Sequence, residues 1–162
     1  ARSAVAGFPQ GLQTPRRYMV EAMLADQDEE WERADELYAR AEELAAEPAR
    51  VVNNWGVSHM ARGDLQAAQK TFRRAVSYDT GLFSAKNNLA IVRGLQGKYT
   101  LPLVPMQDEE RAVMLNNLGI IAMRRNQPGI AKGLFAAAVE AHPQYYQGAA
   151  DRLASLEQKA VR

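Results

Sequence analysis

Side chains able to perform acid–base or metal chemistry are few in this sequence. The two histidines are His59 and His142, and the tightest acidic clusters lie at 28–30 and 108–110. An imidazole can act as a general base or a metal ligand, and neighbouring carboxylates can bind a cation. His59, however, falls inside a helical apolar pattern where core packing explains it, and His142 precedes Pro143 at a loop position. The acidic clusters suit turns and helix starts, where carboxylates complement the helix dipole.

Composition also points away from an enzyme. The 162 residues include no cysteine, which excludes disulfides, thiol nucleophiles and iron–sulfur clusters. The net charge of +1, from 20 basic and 19 acidic residues, gives no reason to propose nucleic acid. No Gly-rich phosphate loop or nucleophile elbow occurs. No apolar run reaches the roughly 20 residues that a membrane helix needs. We therefore expect a non-enzymatic protein without a cofactor or a metal.

Charge is distributed unevenly along the chain. Residues 15–48 carry 4 basic and 11 acidic side chains, whereas residues 49–162 carry 15 basic and 8 acidic ones. Most of these charges stand between apolar positions at helical spacing, which is typical of solvated helix faces. A charged partner is the alternative reason for such a layout.

A repeated pattern of residue types predicts the helices that would position any site. Segments 51–57, 85–91 and 114–120 each place a pair of asparagines before a large apolar residue, a small residue and a β-branched one. Two of them continue with a small residue and a phenylalanine at identical offsets of 12 and 4 residues. These sets are Gly56, Ala68 and Phe72, and Gly119, Ala131 and Phe135.

This spacing resembles the tetratricopeptide repeat, a 34-residue helix–turn–helix unit. The resemblance implies an all-α, right-handed solenoid of helical hairpins. In it the small residues let the two helices of a repeat approach closely, and the aromatic residues fill the space between repeats.

The third repeat departs from that pattern. Pro102 and Pro105 stand where its second helix belongs, so we expect a non-helical, extended insert at 100–107. The spacing of Ala149, Leu153 and Leu156 predicts an amphipathic closing helix. The predicted organisation is a flexible tail at 1–14, a tetratricopeptide domain at 15–162 with repeats starting near 15, 49, 83 and 112, and a capping helix at about 145–160.

The third repeat also resembles a narrower family. The runs at 86–90, 97–106 and 110–112, with Gly133-Leu134 and His142-Pro143, resemble the TadD family, the tetratricopeptide proteins of Tad (Flp) pilus assembly loci. The resemblance covers about residues 83–156, and the proline-containing insert is its most specific part. It implies a periplasmic lipoprotein at the inner face of the outer membrane, which acts as a pilotin that localises or assembles the secretin channel. The family's lipobox cysteine is missing here, so we expect any lipid anchor to lie upstream of residue 1.

The tetratricopeptide resemblance also implies where a protein partner binds. First helices of successive repeats line a concave groove, and its predicted residues are Met19, Met23, Asn53, Val57, Met60, Asn87, Ile91, Asn116, Ile120 and Met123. An asparagine ladder can bond backbone amides, and the apolar strip beside it suits a partner helix or extended segment. The alternative is that some of these aliphatic residues belong to the core. In the same alternative, the second asparagines, Asn54, Asn88 and Asn117, simply bond neighbouring backbone.

Three functional interpretations remain open at the level of sequence. The first is a protein-binding assembly factor of a Tad-type pilus machine, with a secretin segment as its partner. The second is a generic tetratricopeptide scaffold in another complex, and the third is a regulatory domain of a larger enzyme. A basic clamp for a chaperone's terminal carboxylate is not evident, because the groove position that Val57, Ile91 and Ile120 share is apolar.

Overall fold

The computed structural model describes residues 13–142 and 147–160, which form eight helices and no strand. The helices are α1 (Pro15–Gln27), α2 (Trp31–Leu44), α3 (Ala49–Ala61), α4 (Leu65–Tyr78), α5 (Phe83–Leu95), α6 (Asp108–Arg124), α7 (Pro128–Ala141) and α8 (Gln147–Ala160). The fold is therefore all-α and tetratricopeptide-like, as predicted. Of the predicted flexible tail, residues 1–12 lie outside the described residues.

Two compact units divide the chain after Ala85, and we refer to them as the N-terminal half (1–85) and the C-terminal half (86–162). In the N-terminal half, α1 pairs with α2 and α3 pairs with α4. In the C-terminal half, α6 pairs with α7, and α8 packs against α7. Short turns join the helices of each pair, so each pair is a helical hairpin. The assignment of 15–162 to one domain stays a prediction.

One turn geometry ends four of the helices. The residues in the left-handed region are Glu29, Gly63, Gly97 and Asn126, with φ angles of 58°, 85°, 82° and 56°. Their spacing is 34, 34 and 29 residues, so the turn follows the repeat. After each, the next amide donates to a carbonyl five residues back, as Asp64 N–H does to the His59 carbonyl at 2.9 Å. This is the bond that satisfies carbonyls at a Schellman-type helix end.

An aromatic ring lies on the backbone of the opposite helix in two hairpins. A Cβ atom at Gly56 would stand 2.5 Å from Cε1 of Phe72, and one at Gly119 would stand 2.5 Å from Cε1 of Phe135. Both rings are buried. Only glycine permits so close an approach, which confirms the predicted role of Gly119. The rings therefore fill space within their own hairpins, whereas the sequence interpretation placed them between repeats.

No helix forms between Leu95 and Asp108, as the two prolines of the insert predict. Arg93 of α5 holds the start of the insert, because its guanidinium donates to Oγ1 of Thr100 at 2.6 Å and to the Leu101 carbonyl at 3.4 Å. Tyr99 donates its hydroxyl hydrogen to Oε1 of Gln127 at 2.5 Å. The insert is thus tied both to α5 and to the turn before α7.

A buried lysine holds the end of the insert. Nζ of Lys86 donates to Oε2 of Glu110 at 2.7 Å and to the Pro105 carbonyl at 3.2 Å. Glu110 also accepts from the backbone N–H of Gln107 at 3.0 Å, which completes a capping box at the start of α6. Burial alone would raise the pKa of the Glu110 carboxyl, but the hydrogen bonds from Lys86 and Gln107 and the lysine charge lower it.

The Gly119 contact makes a stability prediction. Gly119→Leu should force a side chain into the Phe135 ring and lower the free energy of unfolding by about 1–3 kcal/mol or more. Gly133→Leu is the matched control, because Gly133 lies on the exposed side of α7, where an added Cβ atom would have no neighbour within 4 Å. In urea denaturation the control should be neutral or up to about 1 kcal/mol more stable. Equal stability of the two variants would contradict the assigned contact.

Candidate functional site

The predicted groove residues of the N-terminal half lie on α1 and α3. Met23 and Val57 are 46% and 40% exposed. Met19 and Met60 are partly buried, and Asn53 is only 7% exposed. Two of the five side chains are therefore open enough to form a broad contact with a partner.

The predicted residues of the C-terminal half lie on α5 and α6. Met123 is exposed, and Asn87, Ile91 and Ile120 are partly buried. Asn116 is 5% exposed. The C-terminal half thus offers one freely exposed apolar side chain and three partly open ones.

The asparagines bond side chains within the protein. Asn117 donates from Nδ2 to Oδ1 of Asn87 at 2.9 Å, and Arg152 donates to Oδ1 of Asn116 at 3.2 Å. Asn54 donates to Sδ of Met19 at 3.4 Å. The amide groups of Asn54 and Asn117 therefore donate to side chains of a neighbouring helix, whereas the alternative interpretation assigned these asparagines to local backbone bonds.

Burial and these bonds count against an open asparagine ladder. Asn53 and Asn116 have little surface left for a ligand, and one acceptor position of Asn87 is already used. Ligand binding by the predicted groove residues stays a prediction, and it rests mainly on the apolar members.

The N-terminal half contains a cavity of about 300 Å³ between α1, α2 and α3. It includes the two exposed residues of the predicted groove in that half. The lining residues are Met23, Asp26, Trp31, Tyr38, Asn54, Val57, Ser58 and Ala61.

The C-terminal half contains a cavity of about 480 Å³. Two predicted groove residues of α6, Ile120 and Met123, contribute to it. The other lining residues are Arg124, Phe135, Gly148, Asp151, Arg152, Ser155 and Leu156. Helix α8, predicted only as a cap, therefore provides one wall of a cavity.

Sequence reasoning missed Asp26, the carboxylate in the N-terminal cavity. Its Oδ2 accepts from the Tyr38 hydroxyl at 2.9 Å, and its Oδ1 accepts from the Ser58 hydroxyl at 2.6 Å. Burial and the Asp26 carboxylate both raise the pKa of Tyr38, so the phenol stays protonated and donates. The three residues lie on three helices and are up to 32 residues apart, so no local motif could have identified them.

A stack of aromatic rings lies beside this cavity. The Trp55 ring stacks on Tyr38 with a centroid distance of 6.1 Å and on His59 with a distance of 5.8 Å. The Arg74 guanidinium lies 4.9 Å from the centroid of the Trp55 ring. Asp35 accepts from Nε1 of Trp55 at 2.6 Å. His59 is therefore a packed core residue, as its place in the apolar pattern predicts.

Arg62 connects this stack to α2. It pairs with Asp35 at 2.8 Å, lies over the Trp31 ring at 5.9 Å and contacts Nδ1 of His59. Burial lowers the pKa of His59, and the Arg62 charge lowers it further. An imidazole kept neutral by its surroundings fits a packing role better than that of a surface base.

Two classes of feature are missing from the part of the chain that the structure describes. No cluster of three or more histidine, cysteine, aspartate or glutamate side chains there could hold a metal ion. None of the helices described is both long and apolar enough to cross a membrane.

Comparison with solved structures adds a likeness of fold. No protein-family model and no curated protein matches the chain. Among solved structures, the chain is similar to PilF of Pseudomonas aeruginosa, with 20% sequence identity and a TM-score of 0.45. The match covers 91% of this chain and 54% of the PilF chain, so this chain spans about half the length of that protein.

The depressed pKa of His59 predicts a pH effect on stability. As the pH falls below about 6.5, the unfolded state takes up a proton at this site that the folded state resists. The free energy of unfolding should therefore decrease with falling pH, and His59→Gln should remove that part of the decrease. Urea denaturation of both chains at several pH values between about 7 and 5 measures it. If the free energies of unfolding of the parent and of His59→Gln change with pH in parallel, the depressed pKa of His59 is contradicted. An NMR titration midpoint for His59 at or above the ordinary value of histidine would contradict it as well.

Proposed function

We propose that this chain is a protein-binding assembly factor of a Tad (Flp)-type pilus secretion system. In this role it binds a segment of the outer-membrane secretin and helps to localise or assemble that channel, as a pilotin does. Tetratricopeptide-like, all-helical folds are typically non-enzymatic scaffolds that bind proteins. The sequence resemblance to the TadD family over residues 83–156 supplies the pilus-specific part of the proposal.

The observation that carries the binding role is the exposure of apolar side chains on first helices beside cavities. Met23 and Val57 flank one cavity in the N-terminal half, and Met123 flanks another in the C-terminal half. Concavities lined by apolar side chains are typical of sites that bind a ligand or a partner's side chain. Methionine suits such a surface because its unbranched side chain adapts to partners of different shape.

The insert supports the narrower family assignment. Lys86 and Glu110, which form the buried ion pair at 2.7 Å, both belong to the runs that resemble the TadD family. Removing either partner of such a pair would leave a buried charge uncompensated. The resemblance therefore includes residues that hold the insert in place, which is a structural role specific to this variant of the repeat.

The proposed location follows from the same resemblance. The chain would work in the periplasm at the inner face of the outer membrane, attached through a lipid on a segment upstream of residue 1. The alternative function is a general tetratricopeptide scaffold in another complex. The same exposed apolar residues would serve it, with a different partner.

Met123 provides the test of the binding role. Met123→Glu places a carboxylate where an apolar partner face would desolvate it, so it should weaken binding to secretin fragments about tenfold or more. Ile130→Glu on α7 is the matched control, because Ile130 is 43% exposed and Met123 is 39% exposed. Affinity is measured by titration calorimetry, with circular dichroism and melting to verify folding.

The comparison of the two variants separates the possibilities. Loss of affinity in Met123→Glu alone supports binding through α6. Equal affinity of both variants and the parent would refute the proposed surface. Failure of the parent to bind any secretin fragment would refute the pilus-specific role and favour the scaffold alternative.

A further inference from the structure

The cavity of the N-terminal half has an apolar rim and a polar floor, and Asp26 is the charged residue of its lining. Met23 and Val57 are exposed and form its rim, whereas Tyr38 and Ser58 are buried and form its floor. Trp31 provides an aromatic wall. A long side chain could therefore enter along apolar surface and reach the Asp26 carboxylate.

Asp26 has no cationic partner among the residues that the structure describes. It accepts hydrogen bonds from the neutral hydroxyls of Tyr38 and Ser58, one to each oxygen. A carboxylate offers about four acceptor positions, so each oxygen of Asp26 keeps a further one. Arg62, the guanidinium over Trp31, pairs with Asp35 instead at 2.8 Å. A carboxylate in a partly buried cavity, without a paired cation, favours a positively charged ligand.

The surrounding charge favours the same kind of ligand. The three helices that form the cavity lie within residues 15–61, which carry 11 acidic and 5 basic side chains, a net charge of 5 − 11 = −6. A negative field around a cavity attracts cations and raises their rate of association. The charge of these helices therefore favours a cationic ligand over an anionic one.

From these observations we infer that this cavity binds a lysine or arginine side chain of the protein partner. The aliphatic part of that side chain contacts Met23, Val57 and the Trp31 ring, and its cationic end donates hydrogen bonds to Asp26. Long basic side chains commonly bury their methylene groups while the charge finds a partner. This inference rests on the proposed protein-binding role and adds the chemistry of one anchor residue.

Blocked single amino acids test the cavity without the full partner. The cationic probes are N-acetyl-arginine amide and N-acetyl-lysine amide, and the neutral matches are N-acetyl-citrulline amide and N-acetyl-norleucine amide. Binding is followed by NMR through the indole N–H of Trp31. The indole N–H of Trp55, the second tryptophan, is bonded to Asp35 outside the cavity lining and should shift less than that of Trp31. The cationic probes should give saturable shifts of the Trp31 signal at millimolar concentrations, and the neutral ones should not.

Two variants connect the signal to Asp26. Asp26→Asn keeps the size of the side chain but removes its charge and replaces one acceptor oxygen with an amide donor, so the affinity for the cationic probes should fall about tenfold or more. Glu32→Gln, at an exposed position in the first turn of α2, removes one charge from the same region and should leave the affinity nearly unchanged. If Asp26→Asn does not fold, Val57→Lys provides the second test. A lysine at the rim should repel the probes and compete for Asp26, with a similar loss.

Several results would overturn the inference. They are absence of a saturable Trp31 shift with either cationic probe, equal shifts with the neutral probes, or unchanged affinity in Asp26→Asn. The proposed pilus role is tested separately through Met123. A failure of the chain to bind secretin fragments would therefore leave the binding of the cationic probes to this cavity unaffected. Conversely, secretin binding without probe binding would refute only the anchor site.

Discussion

The hairpins of this protein depend on one contact, an aromatic ring pressed against the backbone of a neighbouring helix. Phe72 lies on Gly56 and Phe135 lies on Gly119, each at a distance that no side chain on the glycine would allow. In the hairpin of α1 and α2, Ala22 stands at the position of the glycine and Tyr38 at the position of the phenylalanine. Both residues are buried. Protein interiors are close-packed, so this contact determines how near the two helices of a hairpin lie.

That spacing determines which side chains remain available for binding. Since the ring contact buries one face of each first helix, the residues on its other side remain accessible, as with Val57 on α3 and Met123 on α6. The polar side chains that contact this packing differ between the two halves. Asp35 and Arg62 surround the tryptophan stack in the N-terminal half, and Lys86 with Glu110 holds the insert in the C-terminal half. Such ion pairs stabilise little on their own, because the cost of desolvation or of ordering the side chains offsets their attraction.

Much of the fold could be predicted from the sequence because it depends on spacing. The offsets between Gly119, Ala131 and Phe135 predicted a hairpin, and the two prolines predicted an interruption before α6. The turns after α1 and α6 were less visible, since Glu29 and Asn126 adopt a left-handed conformation that sequence rules assign chiefly to glycine. At these two positions the geometry of the repeat determines the backbone conformation, although that conformation is less favourable for these residues than for glycine.

The candidate sites were harder to predict because they depend on side-chain partners from distant segments. Asp26 gains its environment from Tyr38 and Ser58, which are 12 and 32 residues away. Asn116 matches the repeat pattern, but its partner is Arg152 of α8. Periodicity indicates which face a residue occupies, but it does not indicate whether another side chain already covers that face.

A double-mutant cycle on the first glycine contact tests the central claim most directly. Urea denaturation would give the free energies of unfolding of the parent, Gly56→Ala, Phe72→Leu and the double variant. If the ring lies on the glycine, the alanine costs about 1–3 kcal/mol in the parent and much less in the double variant, where a smaller leucine side chain faces it, with a coupling of about 1 kcal/mol or more. Costs that add within about 0.5 kcal/mol would contradict the account, because residues that do not touch behave in that way.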